Sequence, residues 1–350
     1  MSVRSLAREL GVSATAVSLA LKDSPRVSAE LRAAVQRAAR AQGHVPNARL
    51  AELMSEVRQS AAPVYRATIG VISLFPEEKP WREHPTFGHL QLVLDGARRR
   101  AESHGYKFEE FWVKRPGLTP GRLREILEAR GIRGLLCLGS LDPEERLPAA
   151  LKKFTVVTHA ASIPDRLHRV LSHFAEDART LFDELLRRGY RRPGLVILAS
   201  GDRRTDHLYS ASFLSHQERK FAAPAVPILR AETWNEAEFE AWLRAHRPDA
   251  VVLHQYGPYT RAVDAYLRRR RIKVPRDLGL ALLDKNPDRA RYSGICQDPA
   301  LMGAVATEML LGRMLLRDFG APAVPKIELV QGEWNEGRTL RRPGAGPSSS

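Results

Sequence analysis

Residues 5–21 read SLARELGVSATAVSLAL, and this stretch decides the fold of the chain's first section. Apolar residues recur at helical spacing on both sides of Gly11, which suits a tight turn. Ala7 provides a small residue where two helices can cross, and Val17 provides an apolar residue that can lock them together. The spacing predicts a helix-turn-helix, although an ordinary antiparallel helical hairpin has the same pattern.

The residues that follow predict a third helix and then a linker. Ser13 is placed to cap the second helix and Ser28 the third, because a serine hydroxyl can accept a hydrogen bond from an unpaired backbone N–H. Gly43 is placed to end the third helix. We therefore expect an all-α domain over residues 1–46, followed by a linker that ends at residue 66.

From Ala67 to residue 340 the pattern changes to apolar strands that alternate with helices. Such alternation predicts mostly parallel sheets with helices on both faces. The predicted strands are ATIGVISLF (67–75), KFEEFWV (107–113), GLLCLGS (134–140), FTVVTHA (154–160), HRVLSHF (168–174), GLVILAS (194–200), AVPIL (225–229), AVVLH (250–254), LGLALLD (278–284) and KIELVQ (326–331). The predicted helices cover 88–104, 120–130, 143–152, 174–188, 205–219, 235–246, 258–271 and 299–318. Residues 341–350 have the composition of a disordered tail.

The bulk composition favours a basic protein of two or three domains. The chain has 350 residues, a net charge of +15 and a pI of about 10.2, which favours a polyanionic partner. Cys137 and Cys296 lie in apolar stretches and are expected to be reduced, as in a cytoplasmic protein. No stretch approaches the roughly 20 apolar residues of a membrane span, and the N-terminus lacks an apolar signal core. We expect a cytoplasmic protein with no membrane association.

Two stretches, GVSATAVSLAL (11–21) and DSPRVSAELRAAVQRAARAQGHVPNA (23–48), resemble the N-terminal signature of the LacI family of transcriptional regulators. The most specific matches are Gly11-Val12-Ser13, Val17-Ser18, Arg26-Val27-Ser28, Arg32, Gly43 and Pro46-Asn47. The resemblance implies a homodimer that binds a pseudo-palindromic operator in double-stranded DNA, with one reader on each half-site. It also implies a hinge helix within residues 47–66 and a core that binds a small-molecule effector.

The resemblance assigns roles to individual residues of the DNA reader. Ala14 and Thr15 match positions that contact bases, and base contacts specify the DNA sequence. Phosphate contacts, which fix the position of the protein on DNA, are implied for Ser5, Ser13, Ser18 and Arg26. For each of these polar residues alone, the alternative is a solvated side chain.

Leu19 departs from the family pattern. Many relatives have an arginine directly after the Val-Ser pair, and that arginine reads guanine through two hydrogen bonds. Leucine cannot make those hydrogen bonds but can contact the methyl group of thymine. We expect an operator without an arginine-read guanine at this position, unless Leu19 merely packs against its neighbours.

The expected hinge follows the family less regularly. Asn47 belongs to the Pro-Asn pair that precedes it, and Leu53 aligns with the leucine that relatives insert into the minor groove at the operator centre. Leu50, Leu53 and Val57 can equally form the apolar face of a helix that packs between subunits. Glu52 places negative charge close to the expected DNA phosphates.

The core resembles the periplasmic-binding-protein-like fold, most clearly in GYRRPGLV (189–196), VPRDLGLALLD (274–284) and SGICQDPALMGAVATEML (293–310). This fold implies two doubly wound parallel-sheet lobes that enclose a ligand at the carboxyl ends of their strands. The first lobe is expected over about 67–168 plus 294–320, and the second over about 172–290 plus 321–340.

Polar and aromatic residues near the strand ends are the candidate effector contacts. Asp284 matches a ligand-contacting acid of the family, and its alternative role is to cap the loop that follows. The other candidates are Phe75, Phe87, His89, Ser140, His159, Arg203, Arg204, His207, His254 and Gln255. Each of these alone fits a structural role as well. Ser172 and His173 stand where relatives commonly carry an aspartate, which indicates an unusual effector or an altered pocket.

Enzymatic function is not indicated by the sequence motifs. The chain has no GxSxG, HExxH, GxxxxGK[ST] or GxGxxG motif and no cysteine pairs with zinc spacing, so we expect no metal and no cofactor. The predicted function is a DNA-binding transcriptional regulator, most simply a repressor, whose effector is a sugar or a related metabolite. The alternatives are a ligand sensor of this fold with lost or altered DNA specificity and, more distantly, an enzyme on the same scaffold.

Overall fold

The computed structural model of the chain describes residues 6–8, 10–21, 27–41, 67–83, 88–221, 225–255, 257–285 and 291–344. The chain divides into two compact units, Met1–Ala62 and Pro63–Ser350. The predicted hinge helix and linker over 47–66 lie outside the described residues. So do five residues with predicted contacts, whose roles stay predictions: Ser5, Arg26, Asn47, Leu53 and Phe87.

The first unit contains the helices α1 (Ala14–Leu21) and α2 (Ala29–Ala41), preceded by helical residues at 6–8. Gly11 lies between residues 6–8 and α1 with a φ of +65°, a backbone conformation that glycine adopts easily. Apolar side chains from these elements form a small buried core: Leu6, Ala7, Val17, Ala20 and Val35. The order of the elements and the burial are those that the helix-turn-helix prediction requires.

Serine side chains cap both helices of the first unit. The Ser13 hydroxyl accepts a hydrogen bond from the backbone N–H of Ala16 at 3.1 Å, and the Ser28 hydroxyl accepts one from the N–H of Leu31 at 3.2 Å. Each bond satisfies a donor that has no partner within its helix. Both predicted caps are confirmed.

The second unit, which we call the core, alternates strands and helices along the chain. Its described strands are β1 (Ala67–Ser73), β2 (Tyr106–Trp112), β3 (Gly134–Cys137), β4 (Thr155–His159), β5 (His168–Ser172), β6 (Pro193–Leu198), β7 (Leu229–Ala231), β8 (Ala250–Gln255), β9 (Gly279–Lys285), β10 (Ser293–Cys296), β11 (Ile327–Val330) and β12 (Glu333–Asn335). Its described helices are α3 (Pro80–Glu83), α4 (Gly88–Ser103), α5 (Pro120–Ala129), α6 (Phe174–Arg187), α7 (Ala199–Arg204), α8 (Leu208–Lys220), α9 (Glu236–His246), α10 (Pro258–Arg269) and α11 (Pro299–Leu315).

The strands form two six-stranded sheets. The first sheet has the order β11-β5-β4-β3-β1-β2, and all of its pairs are parallel. The second has the order β12-β10-β9-β8-β6-β7 and is parallel except for the antiparallel pair of β10 with β12. Each sheet with the helices that cover it is called a lobe below.

Helices cover both faces of each sheet, because successive residues of a strand point to opposite sides. In the first lobe, Val71 packs with α4 and α11, whereas its neighbour Ile72 packs with α5. In the second lobe, Val252 packs with α6 and α8, whereas Val251 packs with α9 and α10. The predicted architecture of two doubly wound α/β lobes is confirmed.

The helix predicted over 143–152 is wrong. This segment contains only a single 3₁₀ turn at Ala149–Leu151, between β3 and β4. Pro148 has no backbone N–H and cannot continue a helix, and the Asp142 carboxylate accepts a hydrogen bond from the Glu144 N–H at 2.9 Å, which fixes a local turn. The apolar residues in this segment are therefore buried as part of a loop and do not form the face of a helix.

Two strand boundaries in the second lobe also differ from the prediction. The strand expected over 225–229 lies at β7, and the strand expected over 194–200 ends at Leu198, where α7 begins. Pro227 lacks an N–H for a strand ladder, and its carbonyl accepts a hydrogen bond from the indole of Trp242 at 2.8 Å. Pairing therefore starts only after this proline.

The chain passes between the lobes at other places than expected. The expected boundaries put β10 in the first lobe and β11 in the second, but β10 pairs with β9 and β11 pairs with β5. The chain consequently crosses between the lobes three times, near residues 173, 297–298 and 331–332. Both strands are short and lie beside a crossing, so their local pattern does not show which sheet they join.

A single buried carboxylate connects the three crossings. Asp177, in the first turn of α6, is fully buried. Its Oδ2 accepts a hydrogen bond from the side-chain amide of Gln297 at 2.6 Å, and its Oδ1 accepts one from the backbone N–H of Gly332 at 2.9 Å. The first crossing is joined to the third by the His173 N–H, which donates to the Val330 carbonyl at 2.8 Å. The relative position of the lobes therefore depends on this cluster.

Replacement of Asp177 by asparagine should destabilise the core. Asparagine has one acceptor oxygen, and its NH₂ group would face either the Gln297 amide or the Gly332 N–H, both of which are donors. One buried hydrogen bond is therefore lost, at a cost of about 1–3 kcal/mol. Urea unfolding followed by circular dichroism measures the change. The control is Asp183→Asn on the same helix, where Asp183 is an exposed partner of Arg179 and Lys220 and a change within about 0.5 kcal/mol is expected. Equal effects of the two substitutions would contradict the role given to Asp177.

Candidate ligand-binding cleft

A cavity of about 320 Å³ lies between the two lobes of the core. Its volume falls in the range of roughly 300–1,000 Å³ that is common for small-molecule sites. The first lobe contributes residues that include His89, His159, Ser172 and Met302. The second lobe contributes residues that include Phe174, Arg204, Tyr209, His254 and Asp284. The cavity thus lies at the carboxyl ends of several parallel strands, where ligand sites of such sheets occur.

Several residues with predicted effector contacts line this cavity. They are His89, His159, Arg204, His254 and Asp284. Gln255 lies beside Asp284 in the register of β8 and β9. Ser172, noted from the sequence as a departure from the family pattern, is also part of the wall. The structure brings these residues together from elements up to 195 positions apart, between His89 and Asp284.

Other predicted contacts lie away from the cavity. Phe75 is fully buried and its ring packs edge-on against Trp81, with 6.4 Å between centroids. Ser140 is buried, and its hydroxyl accepts a hydrogen bond from the Asp142 N–H at 3.1 Å. Both residues therefore have structural roles, the alternative that the sequence left open.

Arg203 and His207 also point elsewhere, to charged partners of the second lobe. The Arg203 guanidinium pairs with both carboxylate oxygens of Glu232, at 3.0 and 3.1 Å, on the surface. His207 is exposed, and its Nδ1 lies 3.1 Å from the carboxylate of Asp202. Consecutive residues of a helix differ in direction by about 100°, so only one of Arg203 and Arg204 can face the cavity.

The sequence reasoning missed some residues of the wall. Tyr209 lies in the first turn of α8, and Gln297 lies at the second crossing. The Gln297 side chain is 4% exposed, and its Oε1 has no hydrogen-bond partner among the described residues. His173 is not part of the wall, because its Nδ1 caps α6 by accepting a hydrogen bond from the Glu176 N–H at 3.3 Å. No local signal distinguishes Gln297 from a surface glutamine, since its burial depends on the crossing.

Burial changes the acidity of two groups in the second-lobe wall. The pKa of Asp284 is raised to about 7, because burial penalises the carboxylate and the charge of Asp177 adds to that penalty. The pKa of Tyr209 is raised well above its ordinary value by burial and by the charges of Asp284 and Asp177. Tyr209 therefore acts as a neutral hydroxyl, and Asp284 exchanges its proton near neutral pH.

Two histidines of the wall are held in the neutral form. Burial lowers the pKa of His159 to about 3, and the charges of His89 and Arg204 contribute to the effect. Burial lowers the pKa of His254 to about 4; Asp202 raises it in part, and Arg204 lowers it further. The His254 ring packs edge-on against Tyr209, with 4.4 Å between centroids. A Cβ on Gly201 would come within 3.0 Å of this ring, so glycine leaves the space that His254 occupies.

Metal ligands, reactive thiols and membrane spans are not found among the described residues. Among them, no group of three or more His, Cys, Asp or Glu side chains is arranged to hold a metal ion. Burial raises the pKa of the Cys137 thiol to about 12, which makes it a poor nucleophile, and Cys296 is half-buried. No helix in this part of the chain is long and apolar enough to cross a membrane.

The described part of the first unit presents to solvent the predicted base contacts Ala14 and Thr15 and the predicted phosphate contact Ser13. Ser13, Ala14 and Thr15 are exposed at the start of α1, whereas Val17 is buried in the small core. Leu19 is half-buried, which fits either a contact with DNA or packing within the unit. The amino-terminal turn of α1 is therefore accessible, as the recognition helix of a DNA reader must be.

Comparison with known proteins places the fold. Residues 182–340 match the family of periplasmic-binding-protein-like domains. The solved complex of the transcriptional regulator CelR with cellobiose is 19% identical, covers 97% of this chain and 99% of that one, and has a TM-score of 0.58. The chain shares the fold of this structure, which is the fold that the resemblance to the LacI family implied.

Other LacI-type structures agree with this assignment of the fold. The lac repressor dimer bound to operator and the anti-inducer ONPF is 15% identical, covers 98% of this chain and 99% of that one, and has a TM-score of 0.57. The LacI family regulator CCPA from Weissella paramesenteroides with bound glucose is 14% identical, covers 79% and 98%, and has a TM-score of 0.55. No curated protein sequence matches the chain.

The raised pKa of Asp284 predicts that the stability of the core depends on pH. Between its ordinary pKa, near 4, and about 7, the unfolded chain ionises while the folded chain retains the proton. The contribution of Asp284 to the free energy of unfolding is therefore present at low pH and is lost as the pH rises through about 7.

Asp284→Asn removes this ionisation and tests the prediction. The difference in unfolding free energy, variant minus wild type, should increase between about pH 5 and about pH 8. His159 and His254 titrate in both proteins, so their contributions cancel in the difference. Urea unfolding over this pH range gives the measurement, with Asp183→Asn as the exposed control. A difference that does not change with pH would show that Asp284 is not held protonated.

Proposed function

We propose that the protein is a transcriptional regulator that binds a pseudo-palindromic operator as a homodimer and responds to a small molecule in the cleft. The observation that carries this proposal is the combination of two parts in one chain. One is a helical unit whose Ser13, Ala14 and Thr15 are exposed at a capped helix start. The other is a two-lobed core with a small-molecule-sized cavity between its lobes.

The structural relatives support each half of the proposal. One of them is a lac repressor dimer bound to operator, which supports DNA as the partner and the dimer as the state that binds it. Others contain cellobiose or glucose, which supports a sugar or a related metabolite as the effector. The exposed reader residues supply the base contacts, and the basic chain, with a net charge of +15, favours DNA electrostatically.

The effector would act through the lobes. A ligand that binds one arrangement of the lobes more tightly than another shifts the protein toward that arrangement. The predicted hinge over 47–66 joins the reader to the core, so an altered lobe arrangement would change how readily the hinge segment takes its DNA-bound form. Repression is the simplest output, because an operator-bound dimer blocks access to the DNA.

Selection of binding sites from a random duplex pool tests the proposed function directly. The expected result is a twofold-related consensus whose half-sites are separated as the dimer requires, with affinity that falls steeply as salt increases. Binding without any preferred site would favour the sensor with lost specificity, and turnover of a cleft ligand would favour an enzyme. Either result would contradict the proposal.

Leu19→Arg is expected to change the selected sequence. The arginine adds the two-pronged hydrogen bonds that read guanine, so guanine should appear at one position of each half-site, with about 1–3 kcal/mol of discrimination. The matched control is Ala33→Arg, which adds the same charge at an exposed position of α2 and should raise affinity for all sequences alike. Identical preferred half-sites for Leu19→Arg and wild type would show that Leu19 packs within the unit and does not read DNA.

A further inference from the structure

The cleft carries an unusual excess of basic groups on both of its walls. His89 and His159 belong to the first lobe, and Arg204 and His254 belong to the second. Among the described residues that line the cavity, Asp284 is the single acidic one. Because the pKa of Asp284 is near 7, this carboxyl group supplies at most a partial negative charge at neutral pH.

The basic groups lie close enough to influence each other across the gap between the lobes. The charge of Arg204, in the second lobe, lowers the pKa of His159 in the first lobe and of His254 beside it. His89 lowers the pKa of His159 as well. The charges of Arg204 and His89 both lower these pKa values. A negative charge placed among the groups would therefore stabilise the protonated form of each histidine.

Asp202, an acid outside the wall that influences His254, already has hydrogen-bond partners. Asp202 is buried and raises the pKa of His254. Its Oδ2 accepts a hydrogen bond from the Ser210 hydroxyl at 2.9 Å, and His207 and Arg230 lie at 3.1 and 3.3 Å from the same atom. Asp202 therefore has partners of its own, and it is not among the residues that line the cavity.

We propose that the effector carries an anionic group, a carboxylate or a phosphate, bound between Arg204 and His254 of the second lobe and His159 and His89 of the first. This inference deepens the proposed function and rests on it. Arginine matches the paired oxygens of a carboxylate or phosphate, and neutral histidines donate a ring N–H to the same oxygens. A neutral sugar offers no charge to these groups.

The rest of the wall selects hydroxyl groups on the same ligand. The buried Oε1 of Gln297 is an acceptor with no partner among the described residues, and an unmet buried acceptor is costly. Asp284 and Tyr209 offer further polar atoms in the same cavity. The ligand class is therefore a polyhydroxylated acid or phosphate ester, such as a sugar acid or a sugar phosphate.

Binding of the anion is coupled to protons. The negative charge favours the protonated forms of His159 and His254, whose pKa values are about 3 and about 4 in the free protein, and it raises the pKa of Asp284 further above about 7. Near neutral pH, the complex therefore takes up protons mainly at Asp284. The groups that face these histidines are His89, Arg204, Asp202, Asp284 and Tyr209. Asp284 acts in the same direction, because it repels the anion less when it is protonated. Affinity for the anion should therefore increase as the pH falls through neutrality.

The experiment is a thermal-shift and calorimetric comparison of matched ligand pairs on the full chain. The pairs are glucuronate with glucose, galacturonate with galactose, and glucose 6-phosphate with glucose; inorganic phosphate is tested alone. At least one charged member should raise the unfolding midpoint and bind at least about tenfold more tightly than its neutral counterpart. The acid and the phosphate ester distinguish the two kinds of anion. Stronger binding of the neutral members, or no shift with any charged member, would overturn the inference.

Two variants separate the anion site from general effects on the fold. Arg204→Gln should lower the affinity for the charged ligand by roughly ten- to a hundredfold and leave the affinity for a neutral sugar unchanged. Arg203→Gln, its neighbour on α7 with a surface partner, should bind as wild type does. In wild type, calorimetry near neutral pH in two buffers of different ionisation enthalpy should detect proton uptake, which Asp284→Asn should reduce. Equal losses in Arg204→Gln and Arg203→Gln, or no proton uptake, would contradict the site.

The DNA experiments keep the two proposals distinguishable. If no anion binds but the protein still selects a preferred duplex, the inference about the effector is overturned and the proposed regulator is retained. Absence of a preferred duplex, together with tight binding of an anion, overturns the regulator and leaves an anion-binding sensor. Anion binding that also changes the affinity for the selected duplex supports both.

Discussion

The buried Asp177 carboxylate holds together the part of the core on which the rest depends. Two lobes joined at three crossings have no fixed relation unless the crossings themselves are fixed. Asp177 supplies that constraint from the first crossing, through Gln297 at the second and Gly332 at the third. Gln297 also forms part of the cavity wall, so the residue that meets a ligand is bonded directly to the residue that positions the lobes.

The same carboxylate influences the chemistry of the cleft. Its charge is one cause of the raised pKa of Asp284 and of Tyr209. A partly protonated Asp284 leaves Arg204 as the strongest charge on the wall, and that charge helps to keep His159 and His254 neutral. The relative position of the lobes and the electrostatic character of the cavity thus both depend on one buried group, Asp177. This dependence links the charge of a ligand to the position of the lobes.

The sequence predicted those features that depend on local pattern, and it missed those that depend on distant contacts. Apolar periodicity was sufficient for α4, α6, α9 and most strands, and the serine caps followed from residue type alone. The helix expected over 143–152 failed because proline at position 148 outweighs apolar spacing. Arg203 and Arg204 follow the same strand and differ only in their direction on α7, which no local pattern reveals. Gln297 owes its role to a crossing that its own neighbourhood does not specify.

A ligand can change DNA binding only if it binds one lobe arrangement better than the other, however tightly it binds. A neutral ligand held by the second lobe alone would bind open and closed clefts alike and would shift nothing. An anion held as proposed among Arg204, His254 and His159 would have partners on both walls, so its affinity would depend on the distance between the lobes. In the proposed regulator, the charge of the ligand would therefore both provide affinity and supply the difference between the two arrangements that regulation requires.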